Sequence, residues 1–111
     1  MKTPISMSPL LYIVNITVDR DREEAWNEYY DSFKLPACLA CPGFIGGARY
    51  KLAAPDELDP TKVNYLTIYQ LESRDALFTD ELNALRTWGD FAGSVEAENG
   101  IYPRSEYNVG H

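Results

Sequence analysis

The sequence predicts a single α+β domain with the ferredoxin-like order β-α-β-β-α-β, in which a four-stranded antiparallel sheet carries helices on one face. Residues 10–18 and 63–71 alternate their side chains with the period of two that marks a strand. Between them, residues 22–34 place aromatic side chains at helical spacing, which predicts the first helix. The length of 111 residues suits one domain, assigned to 1–111.

The first strand, residues 10–18, has one wholly apolar face, which we expect to lie under the helices. Its other face is mixed and includes Asn15 and Thr17. Residues 1–8 before it lack a pattern and are expected to form a loose tail. The apolar face consists of Leu10, Tyr12, Val14, Ile16 and Val18.

The first helix should run from about Arg22 to Lys34, because Asp21 and Glu24 have the spacing of a capping box. Pro36 lacks a backbone donor and disfavours helix at the residue before it, so a kink or break is expected at Leu35. Residues 37–41 can then make one more turn. The aromatic face of the helix would consist of Ala25, Trp26, Tyr29, Tyr30 and Phe33.

The second strand is expected over residues 44–52, where Gly46 and Gly47 indicate a bulge or a close backbone approach. Residues 53–62 should form an exposed loop before the third strand. Thr79 resembles an N-cap for a helix from Asp80 to about Trp88. Residues 89–100 are expected to be irregular, and a last strand over 101–109 is restricted to an edge or a bulge by Pro103.

Charge and cysteine content exclude several functions. The net charge of −7 and the scattered basic residues argue against nucleic acid and against an anionic membrane surface. No apolar run is long enough to span a bilayer and no cleavage site marks a signal peptide, so a cytoplasmic location is expected. Cys38 and Cys41 have C-x-x-C spacing near a helix C-terminus and are interpreted as small buried hydrophobic side chains.

Two runs of the chain resemble the small EthD-like proteins of the dimeric α+β barrel superfamily. Residues 28–50, EYYDSFKLPACLACPGFIGGARY, are similar to the pattern W-Y-D-E-x-H-x-P, then L-L-x-x-P-G-F, then A-R-R-Y. Residues 65–77, YLTIYQLESRDAL, are similar to the third strand of that family. The matching positions are Tyr29-Tyr30-Asp31, Pro36, Pro42-Gly43-Phe44 and Ala48-Arg49-Tyr50.

The resemblance implies a cofactor-free cyclase, isomerase, decarboxylase or monooxygenase that uses a cleft between sheet and helices. It also implies a homodimer formed through the exposed sheet face. That face should carry Leu11, Ile13 and one of the two sets of alternating side chains of the third strand. This is too much exposed apolar surface for a domain that stays a single chain. The family histidine is replaced here by Lys34. A lysine can act as a base only where burial or a neighbouring cation lowers its pKa. A solvated, protonated lysine near the helix end is expected here instead.

The expected substrate is a small organic molecule, aromatic or polyketide-like. Asp31 is the candidate proton acceptor and Lys34 the nearby positive charge, and Arg49 would bind a substrate oxygen. No cofactor or metal is expected, because the one histidine is His111 at the chain end. The candidate substrate-binding residues are Tyr12, Asn15, Tyr30, Tyr65, Tyr69 and Trp88.

Each candidate also has a structural interpretation. Asp31 could simply pair with Lys34 or Arg49, and Trp88 could belong to the core. The alternative function is a non-catalytic small-molecule-binding or accessory dimeric module, which the loss of the family histidine favours.

Overall fold

The sheet contains four antiparallel strands in the order β2-β3-β1-β4, which confirms the predicted ferredoxin-like arrangement. A computed structural model describes residues 10–53 and 60–104. The predicted tail 1–8, most of the predicted loop 53–62 and the part of the predicted last strand beyond residue 104 lie outside the described residues. The strands are β1 (Leu10–Asp19), β2 (Phe44–Lys51), β3 (Lys62–Leu71) and β4 (Val95–Pro103).

The helical segments are short, and in the described part of the chain none has the length and apolar character that a membrane crossing requires. The longest run starts with the 3-10 turn Arg20–Arg22 and continues through α1, a π-helical turn and α2. Two further 3-10 turns, Arg74–Phe78 and Gly89–Phe91, flank α3. The bounds are α1 (Glu23–Tyr29), the π-helical turn (Tyr30–Lys34), α2 (Leu35–Leu39) and α3 (Asp80–Asn83).

The two faces of the sheet differ as the alternation predicts. On the inner face, which the helices cover, every β3 side chain from Val63 to Leu71 in steps of two is buried. The apolar face of β1 is also buried apart from the half-buried Tyr12. The outer face holds Leu11, Ile13, Leu66 and Ile68, all partly exposed in the single chain. These four residues and their neighbours are called the outer face below.

Trp26 anchors α1 on the inner face and has no exposed surface. Its ring lies 5.2 Å from that of Tyr30 and 5.3 Å from that of Phe91. The predicted aromatic face of the helix is too broad, because Ala25 and Phe33 are exposed. The helix therefore buries a narrow stripe.

Of the kink or break predicted at Leu35, the break is wrong, because the chain remains helical from Glu23 to Leu39, with an irregular π-helical turn directly before Leu35. The Leu35 amide donates to the carbonyl of Tyr30, five residues earlier, which widens the helix into a π-helical turn. A proline ring normally clashes with the carbonyl four residues before it, and a widened turn relieves that clash. Pro36 is thus accommodated in the first turn of α2.

The C-terminal half differs most from the prediction. Thr79 does cap α3, accepting a bond from the Leu82 amide at 3.2 Å, but the helix ends at Asn83 rather than near Trp88. Residues 95–100 are not irregular: they belong to β4, which pairs with β1 from Val18↔Val95 to Leu10↔Pro103. Since β4 is an edge strand, the prediction for Pro103 is confirmed.

Gly43 connects α2 to β2 at a point where no side chain fits. Its φ is +86°, and an added Cβ would lie 2.6 Å from the Ala76 Cβ. We expect Gly43→Ala to lower the free energy of unfolding by about 2–5 kcal/mol, since both the left-handed conformation and the overpacking are costly. Urea unfolding measures this.

The matched control is Gly93→Ala, where an added Cβ has no neighbour within 4 Å. That variant should unfold within about 0.5 kcal/mol of the wild type. Equal stability of the two variants would contradict the predicted crowding at Gly43.

Candidate small-molecule site between the sheet and the helices

A partly open cleft of about 250 Å³ lies between the inner face of the sheet, the π-helical turn, α2 and the chain after α3. A substrate cleft was expected at this position, between the sheet and the helices. Its lining is mostly aromatic and aliphatic, with a few polar groups. The lining residues are Tyr12, Val14, Tyr30, Lys34, Cys38, Phe44, Tyr69, Leu82, Leu85, Arg86, Thr87, Trp88, Ala97 and Asn99.

Aromatic rings form the sheet-side wall of the cleft. Tyr12 of β1 stacks on Tyr69 of β3 with ring centroids 6.1 Å apart, and Phe44 meets Tyr69 edge-on at 5.3 Å. These side chains meet because the strands are hydrogen-bonded neighbours with Tyr12 opposite Tyr69. Such a wall presents flat apolar surfaces with polar tips, which suits a ring-shaped ligand.

Lys34 enters the cleft from the π-helical turn and is only 6% exposed. Its Nζ donates to the carbonyl of Leu85 and, at 3.4 Å, to the carbonyl of Thr87. The same nitrogen lies 4.8 Å from the centre of the Trp88 ring. The expectation of a solvated lysine is therefore wrong, because the chain after α3 folds over the ammonium.

Burial is the largest influence on Lys34 and lowers its pKa below the ordinary value of 10.5. The charge of Arg86 lowers the pKa further, whereas a negative charge on Cys38 or Cys41 would raise it. A lowered pKa makes the neutral amine accessible at a pH nearer to neutrality. This is the direction of shift that a lysine needs in order to act as a proton acceptor.

This lowered pKa has a consequence for stability. The folded state holds the Lys34 proton less firmly than the unfolded state, so the free energy of unfolding contributed by this group rises with pH up to about 10.5. We expect the difference in unfolding free energy, wild type minus Lys34→Met, to increase between about pH 7 and pH 10. Urea unfolding over that range measures it.

Cys38, Tyr30 and Tyr69 contribute to the unfolding free energy with the opposite pH dependence, because burial raises their pKa values. All three residues are present in both proteins, so their contribution cancels in the difference. A difference that stays constant with pH would mean that the pKa of Lys34 is the same in the folded and unfolded states.

A chain of hydroxyl groups forms the floor of the cleft. The Tyr30 and Tyr69 hydroxyls are 3.0 Å apart, and the Thr67 hydroxyl donates to that of Tyr30 at 3.2 Å. Burial raises the pKa of both tyrosines, so they remain protonated. The floor therefore offers neutral hydroxyls rather than phenolates.

The two cysteines are buried, as predicted. Cys38 lines the cleft one helical turn after Lys34, and the Cys41 thiol donates to the Ala37 carbonyl at 3.4 Å. Burial raises the pKa of both thiols, which keeps them in the unreactive protonated form. Within residues 10–53 and 60–104, no cluster of three or more His, Cys, Asp and Glu side chains is arranged to hold a metal ion.

Three solved structures resemble this one at low sequence identity. HapK from Hahella chejuensis has a TM-score of 0.65 at 14% identity, covering 92% of this chain and 98% of its own. SnoaB, a cofactor-independent oxygenase from Streptomyces nogalater, has 0.59 at 14%, covering 94% and 100%. An ethyl tert-butyl ether D (EthD) family protein from Bacillus halodurans has 0.57 at 14%, covering 82% and 96%. No family model and no curated protein matches the sequence.

The chain has an EthD-like fold. The predicted fold type is thereby confirmed. The likeness rests on backbone geometry over nearly the whole length of each chain, at an identity too low to transfer side-chain roles.

Five of the nine predicted site residues meet in the cleft of this chain. They come from four parts of the sequence: the strands β1 and β3, the π-helical turn and the segment after α3. They are Tyr12, Tyr30, Lys34, Tyr69 and Trp88. Their roles stay predictions.

Asp31 and Arg49 do not line the cleft, and their roles stay predictions. The Asp31 side chain is 64% exposed, and one of its carboxylate oxygens accepts a bond from Arg49 Nη1 at 2.6 Å. The guanidinium carbon lies 4.4 Å from the centre of the Tyr30 ring and 4.8 Å from that of Tyr65. Arg49 therefore joins β2 to the helix, and Asp31 pairs with it rather than with Lys34.

Asn15 and Tyr65 do not line the cleft either. Asn15 is exposed and pairs across the sheet with Leu66 on the outer face, so the strand alternation directs it away from the helices. The Tyr65 hydroxyl donates to Glu23 at 2.5 Å and accepts from Asn27 at 2.9 Å. These bonds hold Tyr65 against α1.

Four polar lining residues were not predicted: Cys38, Arg86, Thr87 and Asn99. Cys38 could have been found from its spacing, because residues four apart share a helix face. Asn99 was missed because residues 95–100 were expected to be irregular. Arg86 and Thr87 were missed because they lie beyond the true end of α3.

Proposed function

We propose that this chain is a cofactor-independent enzyme that removes a proton from a small, largely aromatic molecule in the cleft, as a cyclase, isomerase or monooxygenase does. The observation that carries the proposal is the buried Lys34, whose lowered pKa makes it a candidate base at an aromatic wall. The fold similarity to the cofactor-independent oxygenase SnoaB supports the same reaction class.

The proposed chemistry is a proton transfer. The neutral amine of Lys34 takes a proton from an acidic carbon or hydroxyl of the substrate and becomes an ammonium. The electron pair left behind resides on the substrate as an enolate or phenolate. The new ammonium then stabilises that oxyanion, and whichever of the Tyr30 and Tyr69 hydroxyls does not donate to the other can donate a hydrogen bond to it.

The size of the cleft restricts the enclosed part of the substrate. A cavity of about 150 Å³ holds a benzene molecule, whereas sites for drug-sized ligands start at about 300 Å³. The 250 Å³ of this cleft therefore suits one or two fused rings. A larger polyketide-like molecule would extend beyond it.

The test uses 2-tetralone, a two-ring ketone with acidic α-protons, in deuterium oxide. Wild-type protein is expected to accelerate α-proton exchange, followed by NMR, with no added cofactor and with a metal chelator present. Binding is followed in parallel through tryptophan fluorescence, to which Trp88 in the cleft contributes. Binding without acceleration would contradict the enzyme proposal.

That outcome would favour the second candidate, a non-catalytic binding or accessory module. One observation supports it: the Lys34 amine donates to two carbonyls after α3, as a lysine that only caps a helix C-terminus does. In that case Lys34 stays protonated and holds the cleft together.

We also propose that two chains associate through their outer faces. Leu11, Ile13, Leu66 and Ile68 are only partly covered within one chain, and Tyr102 at the edge is 55% exposed. A contiguous apolar sheet face of this kind marks an interface. Two identical faces related by a two-fold axis would close into a barrel and leave each cleft on the far side of its own sheet.

A further inference from the structure

The charges that line the cleft differ in sign from the protein as a whole. The chain has a net charge of −7, but the lining contains the two cations Lys34 and Arg86 and no aspartate or glutamate among the described residues. Arg86 carries a fixed positive charge beside this apolar cavity, and Lys34 adds a second one whenever its amine is protonated. A bound anion would compensate this charge.

The two cations occupy different depths. Lys34 is buried, whereas Arg86 is exposed and lies at the rim after α3. One nitrogen of Arg86, Nη2, donates to the Leu77 carbonyl at 2.6 Å, which fixes the guanidinium at the cleft edge. An arginine has five N–H donors in a planar fork, so this bond leaves a geometry that can hold a carboxylate in bidentate fashion.

We propose that the substrate is an aromatic carboxylate, with Arg86 binding its carboxylate at the rim and the ring lying against Tyr12 and Tyr69. This inference rests on the proposed function, because it takes the cleft as the substrate site. It assigns separate roles to the two cations. Arg86 determines specificity and orients the ring, and Lys34 at the deeper end meets the carbon or hydroxyl that loses its proton.

The experiment compares two probes of nearly equal shape, 2-naphthoate and 2-naphthamide, which differ in charge. Wild-type protein should bind the anion roughly tenfold or more tightly than the amide, measured by titration calorimetry. Arg86→Gln should remove most of this preference and change amide binding little. Arg86→Lys should restore part of it, because lysine keeps the charge and loses the fork.

The matched control is Arg74→Gln, which removes an exposed arginine in the preceding 3-10 turn, outside the lining of the cleft. It should bind both probes as the wild type does. Equal binding of the two probes by wild type, no binding of either, or equal effects of Arg86→Gln and Arg74→Gln would each overturn the proposal. A purely structural Arg86 would weaken both probes to the same extent.

A second readout uses the reaction itself. The Arg86 charge lowers the pKa of Lys34, so Arg86→Gln should move the pH midpoint of 2-tetralone exchange upward. The groups that face Lys34 and remain in place are Cys38, Cys41, Tyr30, Tyr69 and the Trp88 ring. An unchanged midpoint would contradict the placement of Arg86 beside the base.

The two proposals fail in distinguishable ways. Since 2-tetralone is neutral, its exchange does not depend on carboxylate binding. Exchange without a preference for naphthoate would refute the substrate class and leave the enzyme proposal standing. A preference for naphthoate without exchange would establish a binding site for aromatic carboxylates that lacks the proposed catalysis.

Discussion

Lys34→Met is expected to slow 2-tetralone exchange by about a hundredfold or more, the usual scale for the loss of a general base. Methionine is unbranched, like the alkyl part of lysine, so its apolar side chain still fills the space under Trp88 although the amine is lost. The carbonyls of Leu85 and Thr87 lose their donor, but both residues lie next to the open cleft, where water can replace it. Rate and unfolding free energy are measured on the same preparation.

Lys34→Arg separates the base from the charge. Arginine keeps a cation that can donate to the same carbonyls, but it stays protonated at any accessible pH. We expect this variant to fold and to remain as slow as Lys34→Met. An arginine variant with the wild-type rate would show that the positive charge, and not proton transfer, is what the cleft requires.

Asp31→Asn tests the candidate base that the sequence first indicated. Its carboxylate is exposed, pairs with Arg49 and does not line the cleft, so we expect exchange close to the wild-type rate. A loss as large as that of Lys34→Met would return the catalytic assignment to Asp31. Stability should change by less than about 1 kcal/mol, as for other exposed ion pairs.

The sheet was predictable where one strand face is uniformly apolar. In β1 and β3 the alternation alone identifies the buried side, and the structure confirms it from Val14 to Val18 and from Val63 to Leu71. In β4 the same alternation is present, but the exposed positions carry Glu96 and Glu98. Charged residues on an edge strand prevent unwanted pairing with strands of other chains. Here they also made the strand hard to recognise from the sequence.

The site was less predictable because its chemistry depends on contacts across the fold. Local spacing placed Lys34 three residues after Asp31, which suggested an ion pair in water. Its actual neighbours, the carbonyls of Leu85 and Thr87, lie more than fifty residues later and belong to a segment with no helical pattern. No local sequence pattern indicates that a segment distant in the chain buries the Lys34 amine.

Asn15 shows the opposite case. The strand period placed it on the face opposite Tyr12, so its assignment to the cleft conflicted with the alternation from the start. The exposed position of Asn15 agrees with the period. Where strand alternation disagrees with an expected functional role, the alternation is the better guide to the face on which a side chain lies.

Ile68→Glu is expected to separate the proposed dimer into single chains. Ile68 lies at the centre of the outer face, opposite Ile13 on one neighbouring strand and Ala48 on the other. A carboxylate buried there without a partner would cost about 3 kcal/mol or more, which raises the dissociation constant roughly a hundredfold or more. Sedimentation should show wild type at twice the 12.6 kDa chain mass and the variant at the chain mass.

Phe78→Glu is the matched control for this variant. Phe78 is 79% exposed, more than any other large apolar side chain in the described ranges, but it belongs to a 3-10 turn and not to the sheet. The same loss of an apolar group there should leave the dimer intact. A wild-type protein that sediments as a single chain at micromolar concentration, or equal dissociation of both variants, would refute the interface. Since the cleft lies on the inner face, a folded single chain of Ile68→Glu should still bind 2-naphthoate.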